Sequence, residues 1–167
     1  MMQHPVGNEY LVAIGDITVS FAMLESVVQS LVHTLLAIKP TQGQAVTAEL
    51  SFRNLRALAS NLWIERHGPG PAAVDFAKLI KRIRAAEEQR NQVTHSVWAG
   101  NDAGQILRVK TTAKESRGVE MRHQEVTVSE LVKIAIEIKR LASEVQLCRL
   151  GLTPPEPKLA SEHNAND

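Results

Sequence analysis

A single cysteine, Cys148, stands among 167 residues, so no disulfide can form within the chain and the composition suits a reducing cytoplasm. Aromatic residues make up only 4% of the chain, which leaves Leu, Ile, Val and Ala to build the core and favours helices. Neither sign of charge predominates. A formal net charge of +1 gives no global field that would draw in nucleic acid, and any such contact must come from a local patch. The N-terminus lacks a basic segment, and the apolar stretch that follows is interrupted by Asp16 and Glu25, so neither a secretion signal nor a membrane span is expected. There is no glycine-rich phosphate loop and no CxxC pair. What remains is 44% hydrophobic and 22% charged, the balance of a cytoplasmic globular protein long enough to fold as one domain.

Helical periodicity is the strongest pattern present. Ile14, Ile17, Phe21, Leu24, Val28, Leu31, Leu35 and Ile38 recur at spacings of three and four, which puts them on one stripe of a first helix ending near Pro40. Gly15 and the β-branched residues around it leave its start anywhere from about Asn8 to about Ser20. A second stripe, Ser51, Leu55, Leu58 and Leu62, with Leu50 and Trp63 beside it, stops at His67-Gly68-Pro69-Gly70-Pro71. A third runs through Phe76, Leu79, Ile83, Ala86, Arg90, Val93 and Val97 and ends around Gly100 to Gly104. The period then changes to two over Ile106–Thr111 and again over Val119–Val126, which predicts a β-hairpin turning at Lys114 to Gly118. Thr127 and Glu130 have capping-box spacing, and behind them Leu131, Ile134, Ile138, Leu141, Val145 and Cys148 form the stripe of a last helix that ends at Gly151 and Pro154.

These elements predict a mainly α fold, an antiparallel four-helix bundle over residues 1–152 with a β-hairpin at about 105–127 inserted between helices three and four. The polar, Pro-containing segment 153–167 is expected to be a disordered tail. Cys148 falls on a seam and reads as a small core residue. Seams of this quality on every helix also suit an intermolecular bundle, so a homodimer is expected.

Chemistry concentrates late in the third helix. Arg90 occupies an apolar seam, where an unpaired charge costs several kcal/mol, so it needs a partner. Glu25 and Glu87 are candidates within the fold; a phosphate, which guanidinium grips with two hydrogen bonds, is the candidate from outside. Asn91 and His95 are four residues apart and share a face on which the amide can orient the imidazole. Arg90 and His95 are separated by roughly 140° around a regular helix, so one straight helix cannot aim both at one atom. Either the helix distorts near Thr94 or a second subunit completes the site. Lys78, Lys81, Arg82 and Arg84 precede this stretch, and Arg108, Lys110, Lys114, Arg117 and Arg122 lie in the hairpin, where they could follow an RNA backbone. Glu87, Glu88, Glu115, Glu120 and Glu125 interleave with them, as on any solvated mixed-charge surface. Glu120-Met121-Arg122-His123 has helical metal-pair spacing but falls in the hairpin without a second copy, so no metal or other cofactor is expected.

The stretch Arg90-Asn91-Gln92-Val93-Thr94-His95, at this place in a helical bundle, resembles the Arg-polar-(x)-His motif of the HEPN superfamily. The resemblance in architecture covers about residues 8 to 150, the motif itself six residues. It implies a small helical bundle, commonly dimeric, and an endoribonuclease that needs no metal, of the kind found in toxin–antitoxin, abortive-infection and CRISPR-associated phage defence. His95 would be the general acid/base, Arg90 the contact to the scissile phosphate and Asn91 the orienting residue; the substrate would be RNA, with an antitoxin or defence-system protein as partner. Some members of the superfamily are binding modules without catalysis, so a non-catalytic helical module for dimerisation and protein or nucleotide binding is the alternative. A toxin subgroup carries a tyrosine two residues after the histidine; Val97 stands there in this chain, with Trp98 next, so regulation through that tyrosine is not implied.

Overall fold

Residues 6–101, 105–114 and 118–152 are described by a computed structural model. Residues 115–117 of the expected hairpin turn and the expected tail 153–167 lie outside the described residues. The chain is mainly helical, in the order α1 (Asn8–Leu36), α2 (Pro40–Thr47), α3 (Phe52–His67), α4 (Pro71–Thr94), β1 (Val97–Gly100), β2 (Ile106–Lys114), β3 (Gly118–Glu125) and α5 (Val128–Leu150). Sequence spacing leads to four helices and a hairpin; the described residues form five helices and a three-stranded antiparallel sheet, ordered β1-β2-β3.

The stripe of α1 explains its central place. Ile17, Phe21, Leu24, Val28 and Leu31 are buried, and the helix packs against α2, α3, α4 and α5. α1 is long and apolar enough to cross a membrane by length and composition alone; here its stripe faces the other helices. Ser51 caps α3 by accepting from the Asn54 N–H at 3.3 Å, and Gly68 to Gly70 turn the chain sharply into α4. The short turn makes α3 and α4 antiparallel: Trp63 stacks on Phe76 at 4.3 Å near the turn, and Arg56 meets Glu87 at 2.7 Å farther along. Thr127 and Glu130 form the expected capping box at the start of α5.

The extra helix α2 is the crossover that the stripes do not reveal. It lies against the far end of α1, where Thr47 Oγ1 is 3.0 Å from His33 Nε2, and a Cβ at Gly43 would run into the His33 ring. Glycine there permits the close approach. The crossover returns the chain so that Phe52, opening α3, packs edge-on against Phe21 at 4.9 Å. α4 then opposes its neighbours: Arg90 reaches Glu25 on α1, while Arg82 pairs with Glu137 and Glu144 on α5 and Gln92 lies beside Val126 and Glu130. So α1, α3 and α5 point one way and α4 the other, an order different from the alternating one that short links imply.

The expected third helix also stops early. α4 ends at Thr94, and Val97, assigned by spacing to the seam, is 68% exposed and pairs with Val109 as the first residue of β1. The Trp98 indole donates to the Val93 carbonyl at 3.1 Å, satisfying a helix-end acceptor and fixing the change of direction.

The link between α4 and α5 is partly ionic, and this makes it pH-sensitive. The hydrogen bond from Arg82 holds the Glu144 carboxyl below its ordinary 4.5. A carboxylate with a depressed folded pKa stabilises above its unfolded value, and that contribution disappears as pH falls through the folded one. The pair is partly exposed, so its worth is under about 1 kcal/mol. Glu144→Gln should therefore melt slightly lower than wild type near neutrality and lose less between about pH 5 and about pH 3. Parallel melting curves for both proteins across that range check it.

Candidate functional site

Arg90 sits on the side of α4 that faces α1. Its guanidinium lies 4.1 Å from the centre of the Phe21 ring, and Nη2 is 4.0 Å from Glu25 Oε1. The stacking and the nearby carboxylate are two ways of keeping a half-buried cation. Neither uses a donor: among the described residues the Arg90 side chain makes no hydrogen bond. Burial raises the Glu25 carboxyl above the usual carboxylate value, Arg90 opposes the rise and Glu87 adds to it. Glu25 is thus a reluctant anion whose charge is held by Arg90.

Glu87, the other candidate partner, is engaged elsewhere. It accepts from Arg56 Nη2 at 2.7 Å, in a pair whose side chains are only 10% and 18% exposed. Arg56 is a buried charge that the stripe pattern missed, because a stripe counts apolar residues only. Its Nε has no hydrogen-bond partner among the described residues, and its guanidinium lies 5.7 Å from the Phe52 ring. Arg56, Phe52, Phe21 and Arg90 follow one another from α3 to α4, two cations at the ends of an aromatic pair.

His95 is the C-cap of α4, with φ −107° and ψ 12°, and its backbone N–H donates to the Asn91 carbonyl at 3.0 Å. The helix departs from regular geometry at this residue, and the exposed imidazole makes no hydrogen bond among the described residues. His95 and Asn91 line one groove of about 400 Å³ together with Glu88, Gln92 and Lys110. Arg90 does not line it. The structure brings Asn91 to His95 and leaves Arg90 of the same chain on the α1 side of the helix.

Asn91 and Glu88 also border a second groove of about 630 Å³ between α3 and α4, where Arg53, Arg56 and Arg84 are found. Arg84 pairs with Glu88 at 3.0 Å and Lys78 with Asp75 at 2.8 Å, so part of the basic run is balanced locally. Arg82 is held by two glutamates, and Arg117 lies outside the described residues. Cys148 is half-buried; burial and then Glu144 push its thiol up, away from the thiolate that a nucleophile requires. Among the described residues, no group of three or more His, Cys, Asp or Glu side chains is placed to hold a metal. Comparison with protein-family models, with curated proteins and with solved structures gives no match for this chain.

Proposed function

We propose that this chain is an endoribonuclease of the HEPN type, acting in the cytoplasm as a homodimer and needing no metal. In this reading α1, α3, α4 and α5 make the four-helix bundle of the superfamily, α2 is its crossover and the sheet is the insertion. The observation that carries the proposal is the pairing of two unconsumed groups on one helix: the exposed imidazole of His95 in a groove with Asn91, and the guanidinium of Arg90 with its donors free.

The chemistry asks for both groups. Cleavage by the neighbouring 2′-OH needs a base to take its proton and an acid to supply one to the leaving 5′-oxygen, and an imidazole can do either. Charge accumulates on the phosphorus oxygens during the step, and a guanidinium balances it without losing its proton. Because Arg90 and His95 face different sides of α4, a complete site takes His95 from one subunit and Arg90 from the other.

Apolar surface for such a dimer lies next to His95. Leu11 borders a cleft of about 390 Å³ with Ser96 and Trp98, and Val12 and Val97 are 72% and 68% exposed. Light scattering at micromolar concentration should give twice the 18.4 kDa chain mass. A monomeric mass would remove the composite site. Single-stranded RNA incubated with the purified protein in EDTA should be cut to fragments with 2′,3′-cyclic phosphate ends; intact RNA across diverse sequences would sink the nuclease proposal. An antitoxin or other defence-system protein as partner belongs to the same proposal.

A second reading draws on the contact of Arg90 with Phe21 and Glu25, which serves the packing of α1 on α4 whether or not RNA is cut. On that reading the chain is a non-catalytic helical module that dimerises and binds a protein or nucleotide.

A further inference from the structure

A second arginine with free donors lies across Gln92 from His95. Arg108, on β2, floors a cleft of about 360 Å³ between α4, the sheet and α5. Its Nη2 donates to Gln92 Oε1 at 3.1 Å and to Gln124 Oε1 at 2.5 Å, one amide from α4 and one from the partner strand β3. Those bonds use both hydrogens of Nη2. Nη1 and Nε have no partner among the described residues.

Amide oxygens orient a guanidinium without neutralising it. Among the described residues no carboxylate lies within 4.0 Å of Arg108, although Glu130 and Glu137 line the same cleft. Glu137 is paired with Arg82 at 2.7 Å, and Glu130 accepts from the Thr127 N–H at 2.7 Å and hydroxyl at 3.0 Å, so its charge reaches Arg108 only from a distance. Burial disfavours the charged form of Arg108, with Glu130 opposing from a distance. A half-buried cation kept this way is a preformed receptor for an anion. Lys133, exposed on α5, lines the cleft as a second cation with no ion pair among the described residues. Two cations without a direct ion pair among the described residues, one of them a planar fork with free donors, suit a phosphate, whose several oxygens can accept from both.

We infer that the Arg108–Lys133 cleft is a phosphate-binding subsite. The group it takes is a phosphate monoester, as in orthophosphate or a nucleotide, or the phosphodiester of an RNA strand whose neighbouring linkage reaches His95. Gln92 lines both the cleft and the His95 groove, so the bound phosphate is one side chain away from the imidazole. The anion recognition stands on Arg108 alone; its placement beside a cleavage site rests on the nuclease reading.

Calorimetric titration at low salt with orthophosphate, with AMP and with a short single-stranded RNA lacking terminal phosphates tests the subsite in the full chain. Arg108→Gln should weaken the bound species by about 10-fold to 100-fold, the loss expected for a charge-assisted hydrogen-bonded pair. Arg108-dependent binding of orthophosphate and AMP identifies a monoester, and dependence seen only with RNA identifies the backbone. Binding that is equal in wild type and Arg108→Gln, or no binding of any of the three, overturns the inference. Should Arg108→Gln fail to fold, the Arg108 Nε–H resonance of the wild type decides: a saturable shift on adding the three probes supports the subsite, and an unmoved resonance overturns it. Arg108-dependent RNA binding by a wild-type protein that cuts nothing would leave the subsite standing and remove the nuclease reading. Cleavage accompanied by Arg108-independent binding would do the reverse.

Discussion

His95→Ala should lower the rate of RNA cleavage by about 10² to 10⁴ while leaving the fold and the dimer as they are. The size of the effect follows from removing the proton-transfer group of a reaction that needs a proton taken from one oxygen and one given to another. The absence of a stability cost follows from position. His95 is exposed at the end of α4, and its bond among the described residues, from its N–H to the Asn91 carbonyl, belongs to the backbone and survives the substitution. Initial rates on single-stranded RNA, with melting curves of the same preparations, separate the two quantities. A rate within a factor of two or so of wild type would take His95 out of the chemistry. Arg90→Ala should also lose activity, but its guanidinium covers Phe21 and balances Glu25, so part of its effect will appear as lost stability.

Phe21→Ala should cost about 3–5 kcal/mol, the largest stability loss we expect from a single truncation in this chain. Phe21 is 1% exposed, meets the edge of Phe52 on α3 and carries the Arg90 guanidinium on its face, so the substitution opens a cavity at the junction of three helices. It also strips the half-buried cation of its stacking surface, while Glu25 remains at 4.0 Å. Against a total stability of about 5–15 kcal/mol, this is a large fraction. Urea midpoints for the two proteins measure it. A loss below about 1 kcal/mol would mean that the α1–α3–α4 junction collapses around the gap instead of depending on the ring.

Much of the helical frame was legible in the sequence, because burial follows the three-four rhythm where each stripe is long. Phe76, Leu79, Ile83, Ala86 and Val93 are buried on α4, and Leu131, Ile138, Leu141 and Val145 on α5. The cost of an unpaired seam charge pointed to Glu25 or Glu87 as a partner for Arg90, and of the two the structure places Glu25 at 4.0 Å while Glu87 pairs with Arg56. The α3 face was misjudged. Phe52, Leu55, Arg56, Ala59 and Trp63 turn inward there, whereas Ser51 is the cap and Leu58 and Leu62 are only half-buried. A buried arginine within the face hid the true register.

α2 escaped because Pro40–Thr47 has almost no apolar periodicity; it is held by His33 and Thr47 and by a glycine that clears the imidazole, a tertiary arrangement no local pattern encodes. β1 escaped because four residues are too few to alternate, and Val97 happened to continue the α4 rhythm. Arg108 could not be singled out from the other basic residues of the hairpin. What distinguishes it is the register that sets Gln124 opposite and the helix end that brings Gln92.

Mixed dimers of Arg90→Ala and His95→Ala chains, assayed on single-stranded RNA with chelator present, test the composite site most directly. The account predicts that each variant alone is inactive and that the mixture recovers activity, because a mixed dimer keeps one shared site with both groups intact. A mixture as inactive as its components, beside a wild type that cuts, would contradict it, and so would a wild type that leaves every RNA whole.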